Sequence, residues 1–227
     1  MGRASGCMAP RGDRLGMNCE RHDWKRAIRE IHGSDACRID GATLRLVCVL
    51  LARELDLVDY EVLDHGARVA HIAVQLGRAT RRLDDAQLHG LHLAGLYHDL
   101  GKLKLPKATV NKPGPLDIDE WKVIRRHPEI GQAMVGQIPA LVDAHSVAEA
   151  VRHHHEAWDG RGYPAGLVGH GIPLRARILA VADTWDALRT RRAYKEPHAL
   201  EHAMEVMKNE AGRRLDPDLV DLLLSAL

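Results

Sequence analysis

The chain has 227 residues, with 32 Lys and Arg against 31 Asp and Glu, so its formal net charge is +1 at pH 7. That length supports one well-buried core and is short for two full domains. The charge balance provides no global field to attract nucleic acid or an acidic membrane, so any anion is bound locally.

The four cysteines, Cys7, Cys19, Cys37 and Cys48, show no C-x-x-C spacing and no dense framework of the secreted kind. They read as reduced thiols of a cytoplasmic protein. The N-terminal MGRASGCMAP lacks the apolar core of a signal peptide, and no later run approaches the roughly 18 apolar residues of a membrane span.

Residues 1 to about 19 have no hydrophobic period and are expected to form a mobile tail. A short amphipathic pattern from Asp23 to Ile31 and an apolar helix from Ala42 to Leu55 make a helical lead-in. The next helix is predicted from Asp59 to Leu76, ended by Gly77, with Glu61 and His65 four apart on one side of it. Asp84 and Asp85 start a helix that runs to His98-Asp99, where Gly101 permits a turn. Pro106 to Pro115 reads as a long loop. Short helices follow over Leu116–Arg126 and Glu129–Gln137, with His127-Pro128 at their junction. Val142 to His155 is helical and delivers RHHHEAWDGRGYP at its C-terminal end. A helix from Leu174 to Leu188 carries Asp183, and two more are expected over His198–Asn209 and Pro217–Leu224. No period-2 alternation persists, so the fold class is all-α, a helical bundle with a short helical N-terminal extension.

Imidazole and carboxylate together suit divalent iron, manganese or zinc. The candidates are Glu61, His65, His98, Asp99, His127, His154, His155 and Asp183, more than one ion needs. Helical geometry removes several of the 15 histidines. His89 and His92 fall near the opposite side of their helix from His98, His71 lies off the His65 face, and His153 cannot share one centre with His155. His22, His32, His145, His170, His198 and His202 have no ligand-like neighbours.

The residues His98, Asp99, Gly101 and Lys102 resemble the signature of the HD phosphohydrolase superfamily. His154-His155-Glu156 with Asp159-Gly160-Arg161-Gly162-Tyr163-Pro164 resembles its HD-GYP branch, and the resemblance runs from about Asp59 to Val220. It implies an HD-domain helical bundle over residues 56–227, preceded by a tail and lead-in over 1–55. It also implies hydrolysis of cyclic di-GMP to linear pGpG, GMP or both, by water activated on two or three iron or manganese ions. The eight candidates above match the family's metal ligands, with Glu61 the acidic ligand of trinuclear members and Asp99 a bridging carboxylate. Lys102 is expected beside the metals and the scissile phosphate, and Arg192 and Lys195 match the residues that hold the substrate's phosphates.

Tyr163 is expected to pack on the core or to wall the substrate pocket, and its loop to offer a docking surface for a diguanylate cyclase domain protein. Arg191, Ala193 and Leu215 depart from the family pattern without removing a ligand. The competing readings are an HD phosphohydrolase acting on another nucleotide or cyclic dinucleotide, and a silent module that binds cyclic di-GMP or docks a partner.

Overall fold

Apolar residues three and four apart build helices, and among the described residues no strand forms. These residues form two isolated bridges, Asp159 with Val168 and Ala211 with Leu215. The computed structural model describes residues 60–137, 144–190 and 197–227. The predicted tail and lead-in helices, the side chain of Glu61, and Arg192 and Lys195 lie outside the described residues.

In chain order the helices are α1 (Tyr60–Ala79), α2 (Asp85–Tyr97), α3 (Lys107–Val110), α4 (Ile118–Ile124), α5 (His127–Val135), α6 (Ala144–His153), α7 (Leu174–Arg189), α8 (Leu200–Glu210) and α9 (Pro217–Leu224). A 3-10 turn, Leu100–Lys104, follows α2.

The central element is α2. Asp84 caps it with a capping box: its carboxylate accepts from the Gln87 amide at 2.8 Å, and Gln87 Oε1 accepts from the Asp84 amide at 3.0 Å. Leu88, Leu91, Leu93 and Ala94 are all buried, so the helix is apolar on several sides, as a helix inside a bundle must be. Val69, Ala73 and Leu76 of α1, Val147 and Val151 of α6, and Ile178, Leu179 and Ala182 of α7 join it in one core. Full burial of a side chain such as Leu91 stabilises by roughly 1.5–3 kcal/mol. At the far end, Asp216 caps α9 through the Asp218 amide, 3.0 Å away, and pairs with the buried Arg177 of α7.

Two close approaches set the geometry of the site. A Cβ on Gly95 would lie 2.5 Å from Ala70 Cα, so only glycine lets α1 and α2 cross in contact. A Cβ on Gly101 would lie 1.9 Å from the His127 carbonyl oxygen, so the 3-10 turn can rest directly on the start of α5. Gly101 does not adopt a positive φ, and its function is this contact and not freedom to turn.

Several predicted boundaries shift. Gly77 does not end its helix, which continues to Ala79. A Cβ there would meet Leu91 Cδ2 at 2.8 Å, so this glycine serves packing against α2. The proline-rich loop contains the one-turn α3, and His127 opens α5, where Pro128 has no intrahelical hydrogen bond to lose. No described helix is long and apolar enough to cross a membrane.

Replacing Gly101 by Ala is expected to cost more than about 2 kcal/mol of unfolding free energy or to prevent folding, because backbone must move. Gly171→Ala, with nothing within 4 Å of its new methyl, should stay within about 0.5 kcal/mol. Urea titration of the two variants checks both values.

Candidate metal centre

Helix ends deliver most of the polar residues. His98 is the C-cap of α2 and Asp99 follows it, His127 begins α5, and His154 and His155 come directly after α6. His65 and Asp183 project from within α1 and α7. These seven residues meet. One group joins Asp99, His127, His154 and His155, a second joins His65, His98 and Asp183, and within each group one ligand atom per residue lies within 4.8 Å of the others. Asp99 links the two groups: Oδ2 is 3.5 Å from His98 Nε2 and Oδ1 is 3.3 Å from His127 Nε2. Glu61 lies in α1 one turn before His65.

The imidazoles are held in one tautomer. Nδ1 of His98, His127 and His154 donates to the carbonyl three residues earlier, on Gly95, Ile124 and Val151, at 2.8, 2.7 and 2.7 Å. A carbonyl only accepts, so the proton sits on Nδ1 and the Nε2 lone pair faces the cluster. That is the arrangement in which histidines bind metals. His127 Nε2 and His154 Nε2 are 3.4 Å apart. His65 Nδ1 is 2.7 Å from Asp186 Oδ2, and its Nε2 is 3.1 Å from Asp183 Oδ1.

The electrostatics suit a cation. Burial lowers the pKa of His127 to about 4, and burial with the neighbouring His127 lowers His155 to about 3. Burial also holds His154 well below its ordinary value. Burial disfavours ionised Asp99, but the Lys102 charge and the surrounding His98, His127 and His154 together outweigh it and hold the carboxyl well below the usual range. Asp183 is likewise lowered against burial, by its hydrogen bond with His65. Burial also opposes the charged form of His65, yet the bonds to Asp183 and Asp186 raise it to about 9. At neutral pH the first group therefore offers three neutral imidazoles and one carboxylate, the protonation state a divalent ion requires.

Whether these residues fit a metal can be tested on two atoms. His98 Nε2 and Asp99 Oδ1 are buried and have no hydrogen-bond partner among the described residues. Leaving one such group unpaired costs roughly 1–3 kcal/mol. A divalent ion would satisfy both, and the donor set of nitrogen and oxygen fits iron, manganese or zinc. Beside them a cavity of about 20 Å³, lined by His154, His155, Asp183, Thr184 and Arg214, has room for one water-sized occupant.

Supporting residues surround this cluster. Lys102 Nζ is 2.6 Å from Asp99 Oδ2 and remains a third exposed. Glu156 is buried and accepts from the amides of Ala165 at 2.7 Å and Leu167 at 3.0 Å, which fastens the Gly-Tyr-Pro loop to the end of α6. Gly160 adopts a positive φ of 81°. Gly162 does not: a Cβ there would meet the Ala157 amide nitrogen at 2.1 Å, so it is a further close approach. Tyr163 stacks on His155 with ring centroids 4.9 Å apart, and so packs on the metal corner, not the apolar core.

Sequence reasoning missed Asp186. It is buried, bonded to His65, and clamped by Arg68 Nε at 2.6 Å, and these bonds lower its pKa to about 2 despite burial. Its position three residues after Asp183 on one helix was the available signal. His153, set aside earlier, points instead to Glu156 at 3.3 Å.

Comparison with known proteins gives an independent measure. The chain is 39% identical over 185 residues to the cyclic di-GMP phosphodiesterase response regulator RpfG of Xanthomonas campestris pv. campestris, covering 77% of this chain and 46% of that one. It is 36% identical to the 3'3'-cGAMP-specific phosphodiesterase 2 of Vibrio cholerae, covering 70% of this chain and 31% of that one. The chain thus spans less than half the length of these curated relatives. Among solved structures, the cyclic GMP-AMP specific phosphodiesterase V-cGAP3 of V. cholerae superposes with a TM-score of 0.57 at 20% identity, covering 78% of this chain and 46% of that one. Bd1817, an HDG"Y"P protein of Bdellovibrio bacteriovorus, gives 0.59 at 16% identity, covering 90% and 69%. Both show the same helical fold. The model of the HD domain matches residues 50–219, a span that holds every residue of the cluster around His98 and Asp99, and the chain belongs to the HD domain family.

Proposed function

We propose that the chain is a metal-dependent phosphodiesterase that hydrolyses cyclic di-GMP. The observation that carries this reading is the pair of unpartnered buried atoms, His98 Nε2 and Asp99 Oδ1, inside a ring of tautomer-fixed imidazoles. The similarity to RpfG supports the substrate.

Asp99, His127, His154 and His155 would hold one ion, and His65, His98 and Asp183 a second. Glu61 would contribute to a third site next to His65. The oxygen and nitrogen donors suit iron, manganese or zinc, and the resemblance to HD-GYP proteins favours iron or manganese among them. When bound, the ions supply Lewis acidity that lowers the pKa of water toward neutrality and polarises a phosphoryl oxygen.

The rest falls to the protein. Lys102 places a positive charge against Asp99 at the mouth of the site, where it stabilises charge on the phosphoryl group or the leaving oxygen. Arg192 and Lys195 hold the phosphates, as bidentate and point-charge partners respectively. Tyr163, fixed on His155, walls the pocket. The products are linear pGpG, GMP or both, and the protein works in the cytoplasm, where this messenger is made. The exposed rim of the Gly-Tyr-Pro loop, with Val168 62% exposed, is the surface offered to a diguanylate cyclase domain protein.

A second reading, hydrolysis of 3'3'-cGAMP, is favoured by the 36% identity to a phosphodiesterase of that name. Turnover of both cyclic dinucleotides by one preparation separates them.

Asp99→Ala is expected to lose at least about 100-fold in cyclic di-GMP turnover and to bind less metal while keeping its helical circular dichroism. Product chromatography with metal analysis reads this, and full activity in the variant would overturn the proposal.

Protonation gives a second expectation, for metal-free protein. His127 and His155 titrate near 4 and 3 when folded and near 6.5 when unfolded. The unfolded chain therefore takes up protons that the folded one refuses, and stability falls as pH drops below about 6.5. His65, raised to about 9, acts the other way: its contribution is complete below about 6.5 and is lost as pH rises through 9. Urea midpoints should peak near pH 6.5 and fall more steeply on the acid side; a rise from pH 6.5 to pH 5 would contradict this.

A further inference from the structure

The short helix α4 exposes an unusual face beside the metal corner. Ile118 is 75% exposed and Trp121 50% exposed. Arg125, four residues after Trp121, is the C-cap residue, and its amide donates to the Trp121 carbonyl at 3.0 Å. Residues 118, 121 and 125 recur at helical spacing, so one stripe carries an aliphatic side chain, an indole and a guanidinium.

The stripe leads into the site. The Arg125 guanidinium carbon lies 4.6 Å from the centroid of the Tyr163 ring, and Tyr163 stacks on His155. Trp121 is about one helical turn, a rise of about 6 Å, before Arg125. The helix is fixed in place. Asp117 caps it by accepting from the Asp119 and Glu120 amides, both at 2.9 Å, and Glu120 accepts from Lys112 across the loop.

This face is poorly explained as protein surface. A half-exposed indole and a three-quarters exposed isoleucine keep apolar area in water at a cost of about 25 cal/mol per Å². Arg125 has its cationic head over an aromatic ring at the mouth of a site that the proposed function fills with phosphate. An indole face next to a guanidinium plane is the combination that holds unstacked nucleobases: the ring stacks on the base, and the arginine stacks on it or bonds its edge.

Resting on the cyclic dinucleotide reading above, we propose that Trp121 and Arg125 form a shelf that stacks one purine base of the substrate while its phosphodiester lies at the His98–Asp99 corner. They act on substrate affinity and on the choice between guanine and adenine, and they take no part in bond cleavage. Ile118 extends the apolar rim of the shelf.

The test is steady-state hydrolysis of cyclic di-GMP by metal-loaded Trp121→Ala, Trp121→Phe and Arg125→Ala, with melting temperature and metal content measured alongside. Base stacking of about 1–3 kcal/mol predicts that Trp121→Ala raises KM about tenfold or more with kcat changed less than about threefold. Trp121→Phe should recover most of the affinity, and Arg125→Ala should also raise KM. A purely structural role would instead lower the melting temperature or kcat. An unchanged KM in both alanine variants overturns the shelf and leaves the phosphodiesterase reading intact. Metal-loaded parent protein that neither binds nor cleaves a cyclic dinucleotide overturns the substrate reading, and the shelf with it.

Discussion

Three hydrogen bonds between imidazole Nδ1 and a backbone carbonyl three residues earlier are the constraint on which the site depends. They bind His98 and His154 to their own helices and His127 to the last residue of α4. With Nδ1 committed, each ring has only Nε2 left, and the packing of α2, α5 and α6 turns those atoms toward one corner. Burial then keeps His127 and His154 neutral. The price is two buried polar atoms, on His98 and Asp99, without a hydrogen-bond partner among the described residues. Leaving such atoms unpaired costs free energy, a cost that a bound cation would remove.

The surrounding structure preserves that corner from several directions. The glycine at 95 lets α1 cross α2 closely enough to bring the His65 and His98 rings to 5.2 Å. The glycine at 101 rests the turn after Asp99 on the first residue of α5. Asp186 and Arg68 hold His65 from behind, and Glu156 ties down the loop that places Tyr163 on His155. Side chains from distant parts of the chain are thus fixed relative to one another by contacts within the protein, which is what preorganisation requires.

Much of this was legible in the sequence because its chemistry is local. An adjacent His-Asp, a His pair leading into Asp-Gly-x-Gly-Tyr-Pro, and apolar residues at 3.6 spacing give the helices and the ligands without knowledge of contacts. What depended on tertiary partners was not legible. Gly77 and Gly101 read as helix breakers, yet both are places where a neighbour comes too close for a methyl group, the side chain of Leu91 in one case and the His127 carbonyl in the other. Asp186 drew no attention, since nothing local says that His65 and Arg68 lie across from it, 121 and 118 residues away in sequence. Trp121 lies within a helix predicted from sequence, and the packing of Arg125 on Tyr163 connects its face to the metal corner.

The central claim is that the His98–Asp99 corner is built around metal ions. Anomalous diffraction from crystals of anaerobically purified protein, recorded at the iron and manganese edges, measures this directly. The account predicts at least two peaks, one among Asp99, His127, His154 and His155 and one among His65, His98 and Asp183. Metal-replete crystals with no peak at either position would contradict it.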